Sequence, residues 1–375
     1  MYDQIRNDTL FGMLYAVVSA LFLAACCYLL FRQGNAFARD VTPPVRLRRW
    51  TAAYFAATAV CHLWYMQIFF LTSAEDIMMT DLIGGLLDSV LAVPLVICVM
   101  LNMLQDRRRP LWPIPLMIAP FVVGEVYSIA TLSYAVIPML HVYLLLLSIC
   151  IAIYMFRATR QYGRWLRDNY ADLEHKEVWQ SLVVLALMLL LFVFYTFLGN
   201  VTLFLYAYQL FDIVFLGYLL WRVETLSDLS VPVNDVEEEA DVTVDVEDKD
   251  LPLSIHNHIG VLLQQHCIDK QLYLQHDLNI IQLAKAIGTN RFYLSQYFSC
   301  QGTTYNEYIN HLRIDFFISL YHKAVATHRH YTAQQLAIES GFRSYNTFMR
   351  VFKQRMGQNV RKWMDETGQN CSNQQ

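Results

Sequence analysis

The stretch GFRSYNTFMRVFKQRMG, residues 341–357, carries its own start, face and stop signals. Gly341 permits a tight turn. Ser344 is placed to cap a helix by accepting a hydrogen bond from a free N–H of its first turn. Phe348 and Phe352, four residues apart, then fall on one helical face. Just upstream, YTAQQLAIES supplies a first helix, with Thr332 and Gln335 at the spacing of a reciprocal cap and with Leu336 and Ile338 as apolar contacts. The unit reads as two short helices joined at Gly341.

The same pattern occurs earlier, in LNIIQLAKAIGTNRFYLSQYF, residues 278–298. Leu278, Ile281, Leu283 and Ile287 form an apolar stripe, Gly288 permits the turn, Asn290 caps, and Leu294 and Phe298 form the inner face of a second helix. This is a helix-turn-helix arrangement, whose second helix lies in the major groove of DNA. Between the two units TTYNEYINHLRIDFFISLYHKA reads as a helix of about 20 residues, about 30 Å long. Such a strut would hold two reading helices about one turn of DNA apart, about 34 Å.

Charge supports a polyanionic partner for this region. From residue 251 to the end there are twelve Lys or Arg and seven Asp or Glu, a net of +5. Residues 224–250 hold eleven Asp or Glu and one Lys, a net of −10, with no aromatic in NDVEEEADVTVDVEDKD. That run is expected to be a disordered spacer extended by self-repulsion. It could also compete with DNA for the basic region, or be a site of proteolytic release.

The rest of the chain is of another kind. Apolar residues make up 56% of the whole and charged residues 16%, against about 25% charged in an average soluble protein. Seven apolar runs, at 10–31, 50–72, 82–104, 111–130, 132–156, 178–198 and 201–221, each approach the ~20 residues that cross a bilayer core. The first lacks a basic leader and a small-residue cleavage site, and so reads as a span rather than a signal peptide.

Arginines mark alternate loops: Arg32, Arg39, Arg46, Arg48 and Arg49, then Arg107, Arg108 and Arg109, then Arg157, Arg160, Arg164, Arg167 and Lys176, then Arg222. The intervening segments hold Arg6 alone. Cationic loops stay cytoplasmic, so the N-terminus is expected outside and the C-terminus inside. The eight cysteines show no C-x-x-C pair and no metal-ligand spacing, and neither a metal nor a cofactor is expected.

Ionisable side chains inside spans are costly and need a reason. Five occur: His62, Asp88, Glu125, His141 and Asp212, placed by helix rise in the outer half or near the midplane. They pair between helices as structural glue or line a pocket for a small-molecule ligand. No acid or histidine pairing of a catalytic kind accompanies them, and an enzyme is not expected. The segment RQYGRWLRDNYADLEHKEVW, residues 160–179, reads as a helix along the membrane surface. The other reading is that it touches the C-terminal domain and passes on the state of the bundle.

Leu283-Ala284 with YLSQYF, Gly302, Arg313-Ile314 and above all the G-F-R-S-x-x-x-F-x-R-x-F-K series from Gly341 to Lys353 resemble the DNA-binding domain of AraC/XylS-type transcription activators. The resemblance covers residue 251 to about residue 366. The family usually follows its last turn with proline, an aromatic and arginine; here Gly357 is followed by Val360, Trp363 and Met364, which leaves the start of the final helix open.

The resemblance implies double-stranded DNA as partner and homodimerisation on paired sites, although no interface is legible. Fused to apolar spans, it is similar to bacterial membrane-bound sensors with a transcriptional output. That layout implies a multi-pass protein of the bacterial cytoplasmic membrane with the bilayer as a second partner. The expected fold is all-α: a seven-helix transmembrane bundle at 1–222, an acidic linker at 223–250, a double helix-turn-helix domain at 251–368 and a tail at 369–375.

Helical periodicity puts Arg291, Phe292, Ser295 and Gln296 on the outer face of the first reading helix, and Tyr345, Asn346, Thr347 and Arg350 on that of the second. These are the expected base readers, since Asn suits adenine and Arg suits guanine. Arg343, Lys353 and Arg355 are the expected phosphate contacts. The expected function is membrane-bound, one-component transcription regulation in response to an extracytoplasmic or membrane signal. The alternatives are a transporter or enzyme that regulates its own gene, or a tethered regulator released by proteolysis.

Overall fold

The computed structural model describes residues 8–32, 35–37, 41–198, 201–229, 253–327 and 331–372; most of the acidic run, at 230–252, lies outside them. The described residues form helices and no strand. The chain divides into two compact units, Met1–Tyr162 with Val178–Pro232, and Gly163–Glu177 with Val233–Gln375.

The first unit contains helices α1 (Thr9–Phe31), α2 (Val45–Tyr65), α3 (Ala74–Leu87), α4 (Val93–Asn102), α5 (Pro113–Thr131), most of α6 (Ile137–Asn169), α7 (Gln180–Leu198) and α8 (Val201–Thr225). Asp8 starts α1 by accepting from the Phe11 N–H at 3.1 Å. Its inner stripe is Phe11, Tyr15, Val18, Phe22, Cys26 and Leu29, spaced by three and four. Phe22 meets Phe55 of α2 edge-on at 5.7 Å, and Tyr54 meets Phe215 of α8 at 5.9 Å. The outward side is apolar as well: Leu10, Met13, Val17 and Leu30 are more than half exposed. A helix that is hydrophobic all round suits a hydrocarbon solvent.

Among the described residues, five helices are long and apolar enough to cross a membrane: Thr9–Phe31, Ala74–Asn102, Pro113–Thr131, Ile137–Asn169 and Leu203–Thr225. Of the other two expected runs, the sixth is apolar over Gln180–Leu191. The second differs from its expected limits. Its helix begins at Val45, so Arg46, Arg48 and Arg49 occupy the first turns, and it tightens into a 3₁₀ turn over Met66–Phe69. Helical hydrogen bonding continues through charged residues as readily as through apolar ones, so hydropathy misplaces such ends. In the same way α6 extends through Asn169, well beyond the expected end at residue 156.

Between α3 and α4 the rod passes through a π turn, Asp88–Ala92, closed by the Val93 N–H on the Asp88 carbonyl. Pro94 follows at the start of α4. Proline has no N–H to give to the preceding turn and clashes with its carbonyl, and a wider turn relieves both.

In the second unit α9 (Leu253–Leu263) leads through a π turn and a 3₁₀ turn, Leu272–Leu274, into α10 (Ile280–Ile287) and α11 (Arg291–Cys300). The long α12 (Tyr305–Ala326) follows, then α13 (Ala333–Glu339), α14 (Tyr345–Met356) and α15 (Val360–Ser372). The strut α12 has 22 residues, about 33 Å at the helical rise. Tyr305 and Ile309 join a core with Leu283, Leu294 and Phe298, while Ile314, Phe317 and Tyr321 join a second core with Phe348, Phe352 and Trp363. The final helix, whose start the sequence left open, begins at Val360.

The two cores meet at the 272–276 turn. Arg313 of α12, 1% exposed, donates to the carbonyls of Tyr273 at 2.8 Å and Gln275 at 2.7 Å, and its guanidinium lies 5.8 Å from the Phe342 ring centre. Gly341 closes the junction. Its φ is +90°, and a Cβ there would sit 2.8 Å from the Leu274 Cα and 2.9 Å from its carbonyl oxygen.

Gly357, also left-handed at φ +71°, has open space around it and serves as a control. Gly357→Ala is expected to lower the stability of α14, read by amide exchange in the full-length protein, by about 1 kcal/mol for the left-handed backbone alone. Gly341→Ala adds a backbone collision and should cost more than about 2 kcal/mol; equal losses would contradict the close approach. Arg313→Met keeps most of the volume but takes the donor from the buried Tyr273 carbonyl, the Gln275 carbonyl keeping the Leu278 N–H, and should cost about 2 kcal/mol in the same measurement.

Candidate nucleic-acid interface

Each reading helix is set by local caps. Asn279 and Gln282 form a reciprocal box at the start of α10, and Asn290 accepts from the Tyr293 N–H at 2.9 Å to start α11. Thr332 and Gln335 form the box of α13, and Ser344 accepts from the Thr347 N–H at 3.2 Å to start α14. Leu294 and Phe298 of α11, and Phe348 and Phe352 of α14, are buried. Leu336 packs inward with Ala337, whereas Ile338, expected inside, is 47% exposed. In a helix this short the turn geometry leaves room for one inner face only.

The residues expected to read bases lie on the opposite faces. On α11, Phe292 and Ser295 are exposed, with Arg291 and Gln296 half-buried. On α14, Asn346 and Arg350 are exposed, and Tyr345 and Thr347 are half-buried, Tyr345 stacking on Phe348 at 5.7 Å. Among the expected phosphate contacts Lys353 is exposed. Arg343 pairs with Asp277 at 3.2 Å, and Arg355 pairs with Asp315 at 2.8 Å and donates to the His311 carbonyl. Both pairs are partly exposed, so their exchange for phosphate costs little.

The second reading of residues 160–179, contact with the C-terminal domain, is the one the structure bears out, although the sequence did not say which side chains face these readers. They come from residues 163–177, which belong to this unit. Past Asn169 the segment is not a surface helix. Asn169 Oδ1 accepts from Arg291 Nε at 3.0 Å, Thr347 Oγ1 donates to Glu174 Oε2 at 3.4 Å, and Glu177 Oε1 lies 3.7 Å from an Arg350 terminal nitrogen. Ser295 shares a cleft with Asp168 and Thr303. Burial pulls the Lys176 ammonium below its ordinary range, with Asp172 and Asp277 opposing the shift. The signal available in the sequence was the mixture of carboxylates and aromatics in a loop longer than a turn needs.

Four of the five ionisable side chains in the apolar helices make named contacts. His62 Nε2 lies 3.5 Å from Asp212 Oδ2, and Ser19 Oγ lies 3.3 Å from His62 Nδ1. Tyr15 stacks on the His62 ring at 4.8 Å, and Tyr65 donates to Asp88 Oδ2 at 3.1 Å. Glu125 sits against Gly85, where a Cβ would approach its Oε1 to 3.2 Å. His141 is half-buried on α6.

Residues 283–366 match the model of the family described as helix-turn-helix domain. No curated protein matches the chain, and no solved structure does. The matched residues begin inside α10 and end inside α15, and so include both capped reading helices and the strut between them. The chain therefore carries an AraC-type helix-turn-helix domain at residues 283–366, the DNA-binding module of a transcription regulator.

Proposed function

We propose that the protein is a membrane-bound, one-component transcription regulator. Its apolar helices sense an extracytoplasmic or membrane signal, and its double helix-turn-helix domain, on the cytoplasmic side of a bacterial membrane, binds DNA in response. The observation that carries this reading is the presence in one chain of the matched domain and of five helices apolar enough to cross a bilayer. A DNA reader on the same polypeptide as a membrane bundle needs no diffusing messenger. Arg291, Phe292, Ser295 and Gln296 read one half of the site, and Tyr345, Asn346, Thr347 and Arg350 read the other. Arg343, Lys353 and Arg355 hold phosphates, and homodimers form where sites are paired.

On this reading the buried polar cluster is the sensing centre. Glu125 Oε2 is buried without a hydrogen-bond donor, and Asp212 Oδ2 has the His62 ring nitrogen at 3.5 Å. Buried polar atoms are normally paired, so the cluster retains hydrogen-bonding capacity suited to a small polar ligand or a proton. His62, Asp88 and His141 belong to the same candidate pocket. The signal needs to shift the DNA-binding equilibrium by only about 1–3 kcal/mol.

The full-length protein in lipid nanodiscs, challenged with a pool of random duplexes, should enrich a site with two short elements about 10 bp apart. Asn346→Ala with Arg350→Ala should relax selection at one element by about tenfold per contact. Lys353→Ala should weaken every sequence alike and reduce the salt slope by about one. Absence of any enriched sequence would contradict the reading. With that site driving a reporter, Asp212→Asn, Glu125→Gln and His141→Gln should each shift expression severalfold; unchanged expression in all three would remove the bundle from the sensing role.

A further inference from the structure

We propose that residues 170–177 form a two-part intramolecular latch, a fixed anchor followed by an acidic strap that competes with DNA for the reading side chains. This rests on the DNA-binding reading above and adds its regulation.

The anchor is built like a core element. Ala171 is 1% exposed and belongs to the first hydrophobic core. Its N–H donates to the Leu278 carbonyl at 3.4 Å, beside a bridge between Tyr170 and Asn279. Asn306 Nδ2 donates to the carbonyls of Tyr170 at 3.1 Å and Ala171 at 2.7 Å, and Asn310, 3% exposed, donates to Ala171 at 3.2 Å. Two asparagines on successive turns of α12 thus hold one short piece of main chain. Buried bonds of this kind are expensive to break, because each leaves a desolvated group unpaired.

The strap is built differently. Glu174 meets Thr347 at 3.4 Å, and Glu177 meets Arg350 at 3.7 Å with the arginine side chain 55% exposed. Exposed pairs of this length are weak. They nonetheless place carboxylates on two side chains of α14 that would otherwise face bases or phosphates. Between the two glutamates His175 has φ +62°, a left-handed backbone that a residue with a Cβ rarely adopts. Such strain persists where the surroundings hold it and is lost when they release it. DNA, as a denser array of negative charge, can therefore displace the strap while the anchor stays seated. The chain enters the latch from α6 and leaves it into α7.

The test compares full-length proteins in nanodiscs, binding a fluorescein-labelled duplex of random sequence at fixed salt. Glu174→Gln with Glu177→Gln should tighten binding about three- to tenfold. Asp365→Asn with Glu366→Gln removes the same charge from α15 and should tighten it less than twofold. Equal gains in both pairs would reduce the effect to net charge and overturn the latch, as would no gain in the first pair while wild type binds. Absence of binding by both wild type and the strap variant would overturn the DNA-binding reading itself. Amide exchange supplies a second readout: saturating DNA should accelerate residues 174–177 and leave the buried residues 171–173 protected. Continued protection of the whole segment in the complex would also overturn the proposal.

Discussion

The buried guanidinium of Arg313 is the interaction on which the DNA-facing half depends. It reaches from the middle of α12 to two carbonyls of the 272–276 turn and lies against Phe342, so one side chain touches the strut, the entry to the first helix pair and the turn of the second. His276 Nδ1 lies 3.1 Å from the Gly341 carbonyl and completes the junction. A charge buried this deeply is costly unless its donors are satisfied. Here the geometry that satisfies them also fixes how the two reading helices are presented. The residue is conformational specificity as much as stability.

The apolar half obeys the opposite economy. Its helices expose leucine and valine outward, so hydrophobicity does not select their inner faces. Shape and polar pairing do: the Phe22, Tyr54, Phe55 and Phe215 rings interlock, and His62, Ser19, Asp212, Tyr65 and Asp88 find one another across helices. The π turn that begins at Asp88 adds a second reason to look there, since such turns inside helices often accompany function.

Much of the second unit was legible because its signals are local. Asn290, Thr332 with Gln335, and Ser344 cap as their spacing implies, and Phe348 and Phe352 pack inward as their four-residue separation implies. Three features were not legible, each for a physical reason. The burial of Arg313 depends on carbonyl partners about forty positions away, which helical periodicity does not show. The ends of α2 and α6 are hidden because arginines continue a helix without continuing a hydropathy signal. The docking of residues 170–177 depends on the Asn306 and Asn310 side chains of α12 and on the Leu278 carbonyl, and long-range pairing of this kind leaves no periodicity in either segment. For the candidate site, periodicity separated the outer face from the core; it could not show that carboxylates of the same chain already stand on that face.

The most direct measurement is chromosomal occupancy of the tagged full-length protein, set beside the double substitution Asn346→Ala, Arg350→Ala. Discrete sites occupied while the protein remains in the membrane fraction, and lost in the double variant, are the predicted result. Occupancy without discrete sites, sites that survive the double substitution, or sites held only by a fragment freed from the membrane would contradict membrane-tethered DNA recognition.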